Sequence, residues 1–129
     1  MRIATACLII FFGLAACNAN PASSVSEQDI PETGDAERGA VLFSEGKNGT
    51  ASCAVCHNET GVASPNLTGY SAVAGSRVDG ESAYEYTLHS IIEPGRFIVD
   101  GYGNAMPNQY DEVFTPQEIA DLIAYLLSL

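Results

Sequence analysis

The chain has 129 residues, a length that fits one domain. Sixteen acidic residues against five basic ones give a formal net charge of -11, which argues against a nucleic-acid binder because phosphates would repel it. With 47% hydrophobic residues the composition is that of a globular protein. The acidity favours a partner with a basic docking face, or is an ordinary solvated surface; composition leaves both open.

Met1 to Ala16 combine a basic start at Arg2, an apolar run from Ile3 to Leu14 and the small residues Ala15 and Ala16, the pattern of a signal peptide. The run is too short for a membrane span, which needs about twenty residues. Its end, Leu14-Ala15-Ala16-Cys17, resembles a bacterial lipobox, so cleavage before Cys17 and lipid on that residue are expected. Simple secretion and an uncleaved anchor are the alternatives, and Cys7, with no apolar run before it, is a poor rival. Several acyl chains would hold the mature protein firmly on the periplasmic or other extracytoplasmic side of a membrane. Cleavage also removes Arg2, leaving four basic residues against sixteen acidic ones.

Residues 17–33 follow as a lipid-anchored flexible linker. Asn18 to Thr33 are rich in Ser, Pro, Asn and acidic residues without apolar period, and such a tether reaches about 20 to 25 Å. From Gly34 the pattern changes. Ala36, Gly39, Ala40 and Phe43 fall on one face of a helix predicted from Asp35 to Ser44, with Asp35 and Glu37 at its positive end. A mid-helix glycine costs about 1 kcal/mol relative to alanine, so Gly39 implies close approach of another helix.

Cys53-Ala54-Val55-Cys56-His57 comes next, and two cysteines two residues apart followed directly by histidine read as a c-type haem attachment site. One helical turn lets both thiols reach the haem vinyl groups and holds His57 beneath the iron. A thioredoxin-type Cys-x-x-Cys would need a strand before it and a βαβ pattern around it, whereas Gly46 to Ser52 are polar and glycine-rich. A zinc site needs about four ligands, and only His57 and His89 remain to complete one. With Cys7 and Cys17 assigned to the leader and its cleavage point, no pair is left for a disulfide.

A middle helix is predicted from Glu81 to Ile92, stopped by Pro94, with Tyr84, Leu88, Ile91 and Ile92 as its buried stripe. His89 lies beside the stripe near Glu85 and Glu93, either as a surface residue paired with a carboxylate or as a rival distal ligand. Gly95 to Gly103 read as an irregular loop in which Arg96, Tyr102 and Asn104 are candidate donors to the haem propionates or the distal pocket. With Met1 the initiator, Met106 is the remaining methionine, in the loop Asn104-Ala105-Met106-Pro107. A thioether is the usual sixth ligand opposite histidine in electron-carrying cytochromes c, although a lone methionine also serves as core filler. Thr115-Pro116-Gln117-Glu118 is a capping box with proline at the first helical position, opening a helix to about Ser128. Its stripe is Ile119, Leu122, Ile123 and Leu126, and Tyr125 is placed to cover the gap above Gly39.

From Gly34 to Leu129 the chain resembles the class I, mitochondrial-type, monohaem cytochrome c family in its bacterial lipoprotein form. The resemblance implies an all-α fold of three main helices plus loops around one covalently bound haem c, attached through Cys53 and Cys56, in a domain spanning 34–129. In that family the terminal helices cross through a glycine and a phenylalanine one turn on, against a leucine and an aromatic residue; Gly39, Phe43, Leu122 and Tyr125 match. Ser64-Pro65-Asn66-Leu67-Thr68-Gly69 resembles the segment whose proline carbonyl accepts the histidine ring N–H. The resemblance therefore implies that Pro65 orients His57 and that Leu67 touches the haem face. Met106-Pro107 matches the distal loop, with His57 and Met106 as iron ligands. Two departures stand out: Ser44 to Ser52 form a longer segment with a Lys47-Asn48-Gly49 turn, and the lysine collar of the mitochondrial proteins is missing.

The expected function is that of a one-electron carrier in a bacterial membrane-associated or respiratory chain, not an enzyme. Its expected partners are redox proteins and, through Cys17, the membrane, with no small-molecule substrate. A cytochrome subunit of a larger oxidoreductase complex is the neighbouring possibility. A haem sensor or peroxidase-like enzyme would need an open sixth site.

Overall fold

A computed structural model describes residues 25–129. The signal peptide at 1–16 with Cys7, the lipidation candidate Cys17 and the linker as far as Ser24 lie outside the described residues. Among those described there are six α-helices and no strand. They are α1 (Ala36–Glu45), α2 (Cys53–Cys56), α3 (Ser71–Ala74), α4 (Ala83–Ile92), α5 (Tyr110–Val113) and α6 (Pro116–Leu126). None is long and apolar enough to cross a membrane.

Each long helix has a start written in its side chains. Asp35 accepts from the amides of Glu37 and Arg38 at 2.9 and 3.1 Å, satisfying two of the free donors that open α1. Ser82 and Glu85 form a reciprocal capping box on α4, and Thr115 and Glu118 form another on α6 with Pro116 at its first position. Helix α4 therefore begins at Ala83, two residues later than its apolar pattern suggested. Helix α1 ends at Gly46, whose φ of 72° an L side chain adopts only with strain. The following loop turns at Asn48 and Gly49, both in the left-handed region, and Lys47 reaches back to Glu118 on α6.

The terminal helices pack directly against each other. A Cβ at Gly39 would overlap the Asp121 carbonyl oxygen and stand 2.8 Å from Tyr125 Cβ, so the crossing leaves room only for hydrogen. One turn on, the Phe43 and Tyr125 rings meet at 5.3 Å between centroids. Ile119, Leu122 and Ile123 are at most 2% exposed. Each such side chain stabilises the fold by about 1.5 to 3 kcal/mol relative to exposure. Beside this seam sits Asp121, a carboxylate only 2% exposed. It accepts from the Asp35 amide at 2.8 Å, from Arg38 Nε and Nη2 at 2.8 and 2.9 Å, and from Gln117 Nε2 at 3.0 Å. Four donors offset the cost of burying the charge.

Three expectations need correction. Residues 25–33 do not belong to a flexible linker, because Val25 and Ile30 find apolar surface to cover. Ile30 is 7% exposed within the main core cluster. Further contacts fasten the segment: the Val25 amide donates to the Asp111 carbonyl at 3.2 Å, Tyr84 Oη to the Pro31 carbonyl at 3.3 Å and Gln117 Nε2 to the Thr33 carbonyl at 3.4 Å. On α4 the buried residues are Tyr86, Thr87, Leu88 and Ile91, whereas Tyr84 and Ile92 are half-buried. The stripe is rotated because Tyr84 faces the 25–33 segment. Finally, His89 pairs with neither Glu85 nor Glu93. Its Nδ1 lies 3.0 Å from Glu81 and its Nε2 3.2 Å from Glu27.

Candidate cofactor-binding site

Helix α2, the 63–70 segment, α4, the loop around Met106, α5 and α6 enclose a cavity of about 350 Å³. Cys53 and Cys56 open onto it at either end of α2, both as free thiols. Burial pushes the Cys53 thiol above its ordinary value, while Cys56 is exposed. His57 follows as the C-cap residue of the same turn, so two thiols and an imidazole come to one wall without any long-range contact.

His57 Nδ1 lies 3.0 Å from the Pro65 carbonyl oxygen. A carbonyl can only accept, so Nδ1 donates to it and Nε2 is the ring nitrogen left for a metal. Pro65, Leu67 and Met106 all line the cavity. Of the four helix-crossing residues, Phe43 and Leu122 reach it and Gly39 and Tyr125 do not. The crossing thus supplies part of the cavity floor.

Several lining residues were not singled out from the sequence. Tyr110 and Phe114 are buried, and their rings stack at 5.9 Å. Thr87, fully buried on α4, shares a 2.9 Å hydrogen bond with Tyr70 Oη and donates to the Ala83 carbonyl at 2.6 Å. Burial, outweighing that bond to Thr87, pushes the Tyr70 hydroxyl up to about 12. Aromatic spacing in the loops has no period that could reveal such residues. Arg77 is the charged residue among those lining the cavity, and no carboxylate joins it there.

The other candidates divide. Tyr102 and Asn104 line the cavity, and Tyr102 Oη donates to the Gly61 carbonyl at 3.0 Å. Arg96 does not, because it is tied to Glu81 and Glu93 at 3.0 and 3.2 Å. His89 lies outside the cavity with both ring nitrogens engaged by carboxylates, which removes it as a rival distal ligand.

This donor set fits haem c. Two thiols two residues apart, an oriented imidazole and a thioether face an apolar enclosure, and the buried Ser64 Oγ on the same wall has no protein partner. A thioredoxin-type site is excluded by the helical surroundings of α2, since no strand occurs among the described residues. Nor do those residues include three or more His, Cys, Asp or Glu arranged to hold a metal ion, as zinc would require. No curated protein sequence matches the chain. The family model for cytochrome c does match, over residues 36–129, the span that holds all six helices and every cavity-lining residue. Given that match and the all-α architecture around a Cys-x-x-Cys-His turn, the chain belongs to the cytochrome c family, with the class I fold.

Proposed function

We propose that the protein is a monohaem c-type cytochrome carrying one electron at a time on the outer side of a bacterial membrane. The observation that carries the reading is the convergence of two free thiols, an imidazole oriented by Pro65 and the Met106 thioether on one apolar cavity. Cys53 and Cys56 would hold haem c through thioether links, and His57 and Met106 would hold its iron. Haem held in this way supplies a reversible Fe(II)/Fe(III) couple at a potential that a methionine ligand raises.

The protein's own groups do the rest. The Pro65 carbonyl accepts from Nδ1 and fixes the plane of the His57 ring, so Nε2 needs no reorientation. Leu67, Ile91, Tyr110 and Phe114 line the cavity; with haem in place they would keep water from it, and the low dielectric would favour the less charged state of the centre. With His57 and Met106 both holding the iron, the group would serve electron transfer rather than oxygen or peroxide binding. The cytochrome c family, whose members are generally electron carriers, supports reading the protein as a carrier.

Lipid on Cys17 would hold the domain at the membrane, a reading supported by the lipobox-like sequence before it. Its partners would then be redox proteins, and the excess of acidic residues favours those with basic docking faces. Met106→Ala tests the central assignment. The variant is expected to lose the weak absorption band from sulfur bound to ferric iron and to have a lower midpoint potential. An unchanged band, or rapid carbon monoxide binding by the unaltered ferrous protein without denaturant, would remove Met106 from the role. Gentle purification from native membranes separates a free shuttle from a complex subunit, which would carry other chains with it.

A further inference from the structure

Residues 93–109, from the end of α4 to the start of α5, form the loop that carries Met106. Beyond its two ends, the Tyr102 bond to the Gly61 carbonyl, the Arg96 ion pair with Glu81 and the Phe97 ring 5.7 Å from that of Tyr86 on α4 tie this loop to the rest of the described chain. None of these links is made within three residues of Met106, so its position depends on the loop's two anchors. Residues 25–33 hold both. On α4 they accept from Tyr84 Oη through the Pro31 carbonyl at 3.3 Å, and Glu27 Oε1 sits 3.2 Å from His89 Nε2. At α5 the Val25 amide donates to the Asp111 carbonyl at 3.2 Å. Between these points Ile30 is buried in the apolar cluster that includes Leu88 and Ile91 of α4 and Tyr110 and Phe114, with Met106 at its edge.

We propose that residues 25–33 are a strap that positions Met106, holding α4 to α5 and thereby closing the loop against the cavity. The strap precedes the residues matched by the cytochrome c family model. Its role rests on Met106 being the sixth ligand. Loosening the strap lets the loop lift, and the thioether then competes less well with any external base. Ile30 is a positioning residue, since it acts on Met106 through α4 and α5.

The test is imidazole binding to the ferric, haem-loaded full-length protein, followed by loss of the sulfur-to-iron band. Ile30→Ala is expected to raise imidazole affinity about tenfold, equivalent to about 1.4 kcal/mol. The control is Ile123→Ala, a buried α6 residue that neither lines the cavity nor belongs to the strap. It should lower the unfolding midpoint comparably while leaving imidazole affinity near that of the unaltered protein. Should Ile30→Ala fail to assemble, Ile30→Val against Ile123→Val gives the same comparison with a smaller shift. Unaltered affinity in the strap variant, or an equal rise in the control, overturns the strap alone. Absence of the band from the unaltered protein overturns the Met106 assignment and the strap with it.

Discussion

Replacing Gly39 by alanine sets two opposed effects against each other. Alanine in place of glycine within an open helix gains about 1 kcal/mol from backbone entropy. At Gly39 the added methyl would overlap the Asp121 carbonyl oxygen, with the carbonyl carbon 2.6 Å and Tyr125 Cβ 2.8 Å away. Two of those atoms are backbone, so α1 and α6 have to separate by roughly an ångström. Overpacking of this kind costs about 1 to 3 kcal/mol. The separation also pulls Arg38 and the Asp35 amide from the buried Asp121 carboxylate, and an under-satisfied buried acceptor costs about 1 to 3 kcal/mol. The net expectation is a loss of about 3 kcal/mol, or about 12 to 24 °C in a domain of this size. Thermal and denaturant unfolding of the haem-loaded variant, followed by far-ultraviolet circular dichroism, gives the sign directly. A variant as stable as the original, or more stable, would mean that helix propensity wins and the close crossing is not what requires glycine.

Acid should destabilise the protein in a defined range. Burial pushes the Asp121 carboxyl up, but hydrogen bonds from Arg38, the Asp35 amide and Gln117 together bring it below its ordinary 3.8; Glu118, desolvated but held by Lys47 and Thr115, likewise falls below 4.5. Carboxyls with folded values below their unfolded ones add stability above the unfolded values and lose it as pH falls through the folded ones. Denaturant midpoints are therefore expected to fall most steeply below about pH 4, and Asp121→Asn should flatten that slope while costing about 1 to 3 kcal/mol at neutral pH. An undiminished slope in the variant would rule out Asp121 as a source of it. Cys17→Ser is expected to release the protein from membranes into the soluble fraction, and persistent attachment would require another anchor.

Short-range signals in the sequence are legible, and long-range contacts are legible only where a local signal marks them. The turn carrying Cys53, Cys56 and His57 and the capping box at Thr115 depend on residues a few positions apart, while the long-range helix crossing announces itself through a glycine inside a helical pattern at Gly39. The box formed by Ser82 and Glu85 was equally local, but the apolar pattern drew the helix start forward to Glu81. Asp121 is different, because its burial follows from Arg38, 83 positions away. Nothing near it in sequence reveals that four donors converge there. Val25 and Ile30 were hidden for another reason: two isolated apolar residues make no period, and a segment covering a core edge needs none. Sequence proximity points His89 to Glu85 and Glu93, whereas Glu81 and Glu27 reach it from outside its helix.

The contact between α1 and α6 also has a consequence for how the chain comes to be folded. Its core is completed by residues from opposite ends of the polypeptide, so loop closure on the scale of the whole domain precedes stable packing. A chain emerging from its amino end cannot settle until Pro116–Leu126 has appeared. Throughout that interval the cysteines of the Cys53–Cys56 turn remain on an open polypeptide, within reach of any machinery that modifies them before the fold shuts around the site.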